Sequence, residues 1–189
     1  MLIILGAALV AAVVFYLTHH ADAGQSAKPR VILNEVMTSN KGAVADEYGN
    51  FPDWVEVCNT ASEPVDISGY GLSDDFLSGA KYVFPQGTVL NPGGFFVVYC
   101  SGEESDGRHA SFKLSATEEL VFYETTGTVI ESLQLRAAQA GYTLSRTDAD
   151  AWEDMAPSPG FPNTPEGIAA YKASVEAGED IGLSINEFM

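Results

Sequence analysis

Between Lys41 and Lys81 the chain carries eight acidic residues and no Lys or Arg: Asp46, Glu47, Asp53, Glu56, Glu63, Asp66, Asp74 and Asp75. Carboxylates gathered at one end of a fold suit a hard cation such as Ca²⁺, which takes about six to eight oxygen ligands. Asp46, Asp53, Asp74 and Asp75 are the candidate ligands. Their spacing matches no EF-hand loop. The competing reading is that these Asp residues close turns or stand on a solvated surface, since Asp and Asn side chains readily bond their own backbone two residues on.

Glu35 and Glu56 lie within β-rich runs, where an unpaired carboxylate facing the interior is costly. Each is expected to accept backbone amides or the Trp54 indole N–H. The alternative chemistry is the acid/base couple of a glycoside hydrolase, which would need a sugar cleft that such short runs and turns leave little chain to build. His109 falls in the polar stretch 101–111 with Glu103, Glu104 and Asp106. A Ser–His–Asp triad drawn from Ser105 or Ser111 would sit on one unsupported loop, so His109 is expected in solvent. Trp54, Tyr70, Phe76, Tyr82, Phe84, Phe95, Phe96 and Tyr99 could form a carbohydrate platform, but a β core consumes most such rings.

Composition removes several classes. The formal net charge is −17, and so negative a surface repels phosphate backbones, which argues against nucleic acid as a partner. Hydrophobic residues at 46%, with ten Phe and eight Tyr, exclude a disordered acidic tail. Two cysteines, Cys58 and Cys100, are too few for a disulfide framework or a Cys-based zinc site. No cofactor is called for beyond the Ca²⁺ alternative.

The elements that must hold these residues are short β runs separated by Gly, Pro, Asn and Asp turn signals. Strands are predicted at 31–37, 54–59, 81–84, 94–100, 119–124, 128–133 and 142–146, enough for a sandwich. Alternation in the second strand puts Val55 and Val57 on one face, Trp54, Glu56 and Cys58 on the other. The strand 94–100 is apolar on both faces and is expected to be central. Trp152 falls in an acidic turn region and is expected to pack over an open sheet end. After the Pro- and Gly-rich closure at 157–163, a helix begins with Thr164 as N-cap and Pro165 in the first turn, with Ala169, Ala170, Tyr171 and Val175 as its apolar stripe.

Ahead of the body, residues 2–17 form an uncharged apolar run that would rise roughly 24 Å as a helix, near the span of a bilayer core. It reads as a signal peptide, cleaved at an A-x-A-like site at 21–23, or as a retained membrane anchor. Lys28 and Arg30 after the run oppose that orientation, yet two residues are a thin signal, and export is the expected fate. At the other end, Leu183-Ser-Ile-Asn-Glu-Phe-Met189 echoes Val31-Ile-Leu-Asn-Glu-Val-Met37, which suggests the opening strand of a second copy. The expected organisation is therefore 1–23 signal or anchor, 24–29 linker, 30–163 β-sandwich, 164–182 helix and linker, and 183–189 the start of a repeat.

Several short patterns occur in order: Asn34-Glu35 in the first strand, Asp53-Trp54 with Glu56 and Asn59 in the second, Gly69 leading to Ser73-Asp74, and Gly93-Gly94 before the apolar strand. Together they resemble the lamin-tail domain family, over roughly residues 30–163. The closing Ser-Pro-Gly-Phe-Pro-Asn-Thr is similar to the exported bacterial members, in which such domains occur in tandem or beside a spore-coat kinase-like domain. The resemblance implies an all-β, immunoglobulin-like sandwich of about seven to nine strands and no catalytic activity. It implies an interaction or spacer module, here at the cell surface, with a cell-surface protein or glycan as partner and the membrane reached through the N-terminal segment. It also implies antiparallel pairing of the strands that end in Cys58 and Cys100. Their cysteines would then stand at opposite ends of the sheet, too far apart for a bridge.

Overall fold

The computed structural model describes residues 30–103 and 107–178. The expected leader, linker and terminal repeat at 183–189 lie outside the described residues. Among the described residues no helix is long and apolar enough to cross a membrane.

Eleven strands precede one helix: β1 (Val31–Met37), β2 (Asp53–Asn59), β3 (Val65–Asp66), β4 (Gly71–Ser73), β5 (Tyr82–Val83), β6 (Val89–Leu90), β7 (Phe95–Cys100), β8 (Glu119–Tyr123), β9 (Val129–Gln134), β10 (Thr143–Arg146), β11 (Trp152–Met155) and α1 (Pro165–Ala177). The first sheet has the order β11-β10-β1-β2-β7, the second β5-β4-β8-β9, and β3 pairs with β6. The strands beyond the predicted seven are β3, β4, β6 and β11, which are two to four residues long and too short to show a period-2 pattern.

Between the two sheets lies the main core. Leu33, Val36, Val55, Val57, Val98 and Leu144 of the first sheet meet Leu72, Tyr82, Leu120 and Phe122 of the second, with Phe84 completing the layer. Phe84 stacks edge-on against Tyr82, Phe96 and Phe122 at ring separations of 5.1, 5.3 and 6.1 Å, the arrangement that ring quadrupoles favour. A second apolar cluster occupies the other face of the first sheet: Met37, Val44, Trp54, Val97, Tyr99 and Tyr171, with Phe161 against it. The predicted alternation of β2 therefore holds, with Val55 and Val57 inward and Trp54 outward.

Three expectations need correction. β7 is covered on both faces but stands at an edge of its sheet, because both of its faces find partners, one in the second sheet and one beneath α1. Its outer side is partly paired, since Tyr99 N–H donates to Arg108 O at 2.7 Å and Ala110 N–H to Tyr99 O at 2.8 Å. Trp152 lies in edge strand β11, not in a turn, half-buried beneath the Arg146 guanidinium at 5.0 Å. On α1 the residues turned inward are Gly167, Tyr171 and Ser174, whereas Val175 is exposed.

The predicted N-terminal capping is present: Thr164 accepts from Gly167 N–H at 3.1 Å and Pro165 opens the helix, which Gly178 closes at φ 65°. The hairpin at 124–128 closes through Gly127 at φ 81°, with Glu124 N–H bonded to Thr128 O. β2 and β7 run antiparallel, Asp53 opposite Cys100 and Cys58 opposite Phe95. Both thiols are free and buried, and burial raises Cys58 to about 12 and Cys100 well above the usual thiol range.

Candidate functional site

One extra residue in β1 decides where its carboxylate points. Leu33 pairs with Val57 and Glu35 with Glu56, so Asn34 is inserted as a bulge between them. A strand inverts its faces at every residue, and the bulge shifts that phase by one. Leu33 and Val36 consequently both reach the main core, while Glu35 turns to the opposite face beside Glu56. Were Asn34 a regular strand residue and not a bulge, it would take the outward place after Leu33 and Glu35 would enter the apolar layer.

Glu35 and Glu56 thus stand directly opposite one another, both fully buried. Glu35 accepts from Thr143 Oγ1 at 2.6 Å, Ser145 Oγ at 3.3 Å and Ser158 N–H at 3.2 Å. Glu56 accepts from Asn34 Nδ2 at 2.7 Å and Gly160 N–H at 2.6 Å. The backbone donors expected for these acids are therefore present, on the segment following β11. Trp54 is not the expected donor: its Nε1 has no hydrogen-bond partner, because Trp54 faces the apolar cluster under α1. Burial pushes Glu35 up to about 7 against the pull of its hydroxyl and amide donors. Burial together with the neighbouring Glu35 charge raises Glu56 well above the carboxylate range. Neither carboxyl has solvent-exposed surface to meet a sugar.

The four candidate cation ligands are engaged in turns and ion pairs. Asp46 Oδ1 accepts from Tyr48 N–H at 3.0 Å and Asn50 N–H at 2.7 Å. Asp53 Oδ1 accepts from Asn40 N–H at 2.8 Å, and burial raises its pKa. Asp74 pairs with Lys81 at 2.6 Å, and Asp75 accepts from Leu77 N–H at 2.9 Å. The charges of Asp53 and Asp74 both act on the Cys100 thiol, so these two approach the same end of the sandwich. Among the described residues no three His, Cys, Asp or Glu side chains gather closely enough to hold a metal ion.

The remaining residues of the ordered pattern shape the chain. Asn59 bonds Glu63 O at 2.9 Å and Leu90 O at 2.8 Å and accepts from Ala61 N–H at 2.9 Å. Ser73 Oγ bonds Asp75 O at 2.9 Å. Gly69 and Gly93 hold φ 77° and 69°, and a Cβ on Gly94 would stand 2.8 Å from Asn91 O.

His109 is a correction of a different kind. It is buried, not solvated. Its Nε2 lies 3.2 Å from Glu47 Oε1, and its ring lies between Tyr48 and Tyr99 at 5.7 and 5.4 Å. Two further residues escaped the sequence reading. Asn40 gathers the loop 40–52 by donating to Val44 O and Pro52 O at 2.6 and 2.7 Å. Arg146 bonds Leu33 O at 2.9 Å and pairs with Glu131 and Asp150. The bond from Arg146 to Leu33 spans 113 residues and leaves no local spacing to detect.

An open cavity of about 550 Å³ lies at the loop end of the sandwich, between Asp46, Tyr48, Phe51, Asp53, His109 and Lys113. Tyr48 and Phe51 are 71% and 46% exposed there, which places two large rings in solvent beside the buried Asp46 and the half-buried Asp53. Asp46 and Asp53 are the sequence candidates it unites.

The profile of the lamin tail domain matches residues 24–154. No curated protein matches the chain. The immunoglobulin-like domain of this family is generally a non-enzymatic module, in keeping with an ordered pattern whose residues serve bulge, turn and core. With more than half its length matched and its strands arranged as two facing sheets, the chain belongs to the lamin tail domain family.

Proposed function

We propose that the chain is a non-enzymatic interaction or spacer module of a larger exported bacterial protein, held at the outer face of the membrane by residues 1–23. The supporting observation is a division of labour: the acid pair that could have been catalytic is fully buried, while Tyr48 and Phe51 stand exposed in an open cavity. The partner in this reading is a cell-surface protein that engages the loop end. A second reading, a glycan-binding module, is favoured by the same rings beside Asp46 and Asp53, since sugars pack on aromatic faces and bond carboxylates.

The test is a thermal melt of the protein without its leader, alone, with millimolar Ca²⁺ and with an oligosaccharide set. A site of ~10 µM affinity is stabilised by about 2.7 kcal/mol at a hundredfold ligand excess. Unchanged melting under all conditions retains the protein-partner or spacer reading. A shift abolished by Tyr48→Ala or Asp53→Asn moves the function to the second. An alkaline phosphatase fusion after Gly178 tests export, with enzyme activity in intact cells expected and its absence contradicting the reading.

A further inference from the structure

The segment 157–177 closes the outer face of the first sheet, and the hydrogen bonds that join it there run through side chains. Ser158 N–H and Gly160 N–H are held by the Glu35 and Glu56 carboxyls, and Asn163 Nδ2 donates to Asn34 O and Arg146 O. Tyr171 then lies over the cluster containing Trp54. The acids thus grip a strap, and they do so from neighbouring positions on paired strands.

We infer that the Glu35–Glu56 pair is a proton-operated latch: it holds the strap 157–177 while at least one carboxyl is protonated, and releases it when both ionise. Two anions side by side without solvent repel strongly. The groups acting on the pair supply no compensating cation: Thr143, Ser145, Ser158, Gly160 and Asn34 are neutral donors, and the ionisable neighbours that sense its charge are Tyr171 on α1 and Cys58 on β2, both neutral or acidic. β1, β2 and β10 are held by ladders of backbone bonds, whereas the strap is tied through the very carboxyls that repel. The strap is therefore the part that yields.

The sign follows from the raised acid pKa values. An acid whose folded pKa exceeds its unfolded one contributes fully below the unfolded value, and the contribution fades as pH rises through the folded value. For Glu35 that window runs from 4.5 to about 7, and for Glu56 it extends upward from 4.5.

The experiment is amide exchange by NMR on the full chain in detergent micelles, corrected for intrinsic rates, from about pH 5 to about pH 9. Protection at Ser158, Gly160 and α1 is expected to fall at least about tenfold more than protection at Leu72 and Phe122. Glu56→Gln, which keeps shape and removes one charge, is expected to abolish that difference. If Glu56→Gln does not fold, Glu35→Gln is to give the same flattening. Parallel loss of protection across both sheets, or an undiminished pH effect in the folded variant, would overturn the latch.

Discussion

The side-chain amide of Asn163 donates to the main-chain carbonyl of Asn34 at 2.9 Å, so the segment after the last strand is tied to the bulge of the first. Packing onto the sandwich also continues past Asn163, where the Pro- and Gly-rich run suggests a boundary. Tyr171 on the following helix belongs to the cluster around Trp54.

A fragment spanning 28–163 should therefore fold less stably than one spanning 28–178. Loss of one buried tyrosine and exposure of Met37, Trp54 and Val97 corresponds to roughly 2–4 kcal/mol. Urea denaturation of the two fragments measures the difference. Equal midpoints and slopes would show the helix to be an appendage.

Trp54 is fully buried with an unpartnered indole N–H. Trp54→Ala should lose about 3–5 kcal/mol through the cavity it leaves. Trp54→Phe should lose less than half of that, because the phenyl ring keeps most of the packing and removes a donor that has no acceptor. Denaturant titrations of both variants decide the point, and equal losses would mean that the indole nitrogen is bonded in solution.

How far the sequence foretells this architecture depends on the length of each element. β1, β2, β7 and β8 are long enough for alternation or a continuous apolar run to mark them, and Thr164, Pro165 and Gly178 mark the helix ends locally. β3, β4 and β6 depend on pairing with distant strands, so nothing local announces them. The buried state of Glu35 was legible as a need for donors; the identity of those donors was not, because Ser158 lies 123 residues away. His109 misled for a related reason. A histidine among polar residues looks solvated until Glu47 and two tyrosines are brought around it.

Close approach of α1 to the Pro- and Gly-rich run 157–163 that precedes it gives a sharp steric test. A Cβ on Gly167 would stand 1.9 Å from Pro162 O, and a backbone carbonyl cannot rotate away as a side chain can. Gly167→Ala should therefore destabilise by at least about 2 kcal/mol, although alanine is the better helix former. A thermal melt tests this; an unchanged or raised midpoint would show that α1 sits farther from Pro162.

The central claim is that the paired acids are structural and that the module works through other surfaces. It is tested most directly by labelling carboxyls with a water-soluble carbodiimide and an amine near pH 6, with modification located by peptide mass spectrometry. Exposed Glu63 and Glu124 should label rapidly, whereas Glu35 and Glu56 should remain unmodified in the native protein and react only in denaturant. Labelling of Glu35 or Glu56 at a rate close to that of Glu63 would place a reachable acid pair at the surface and contradict the account.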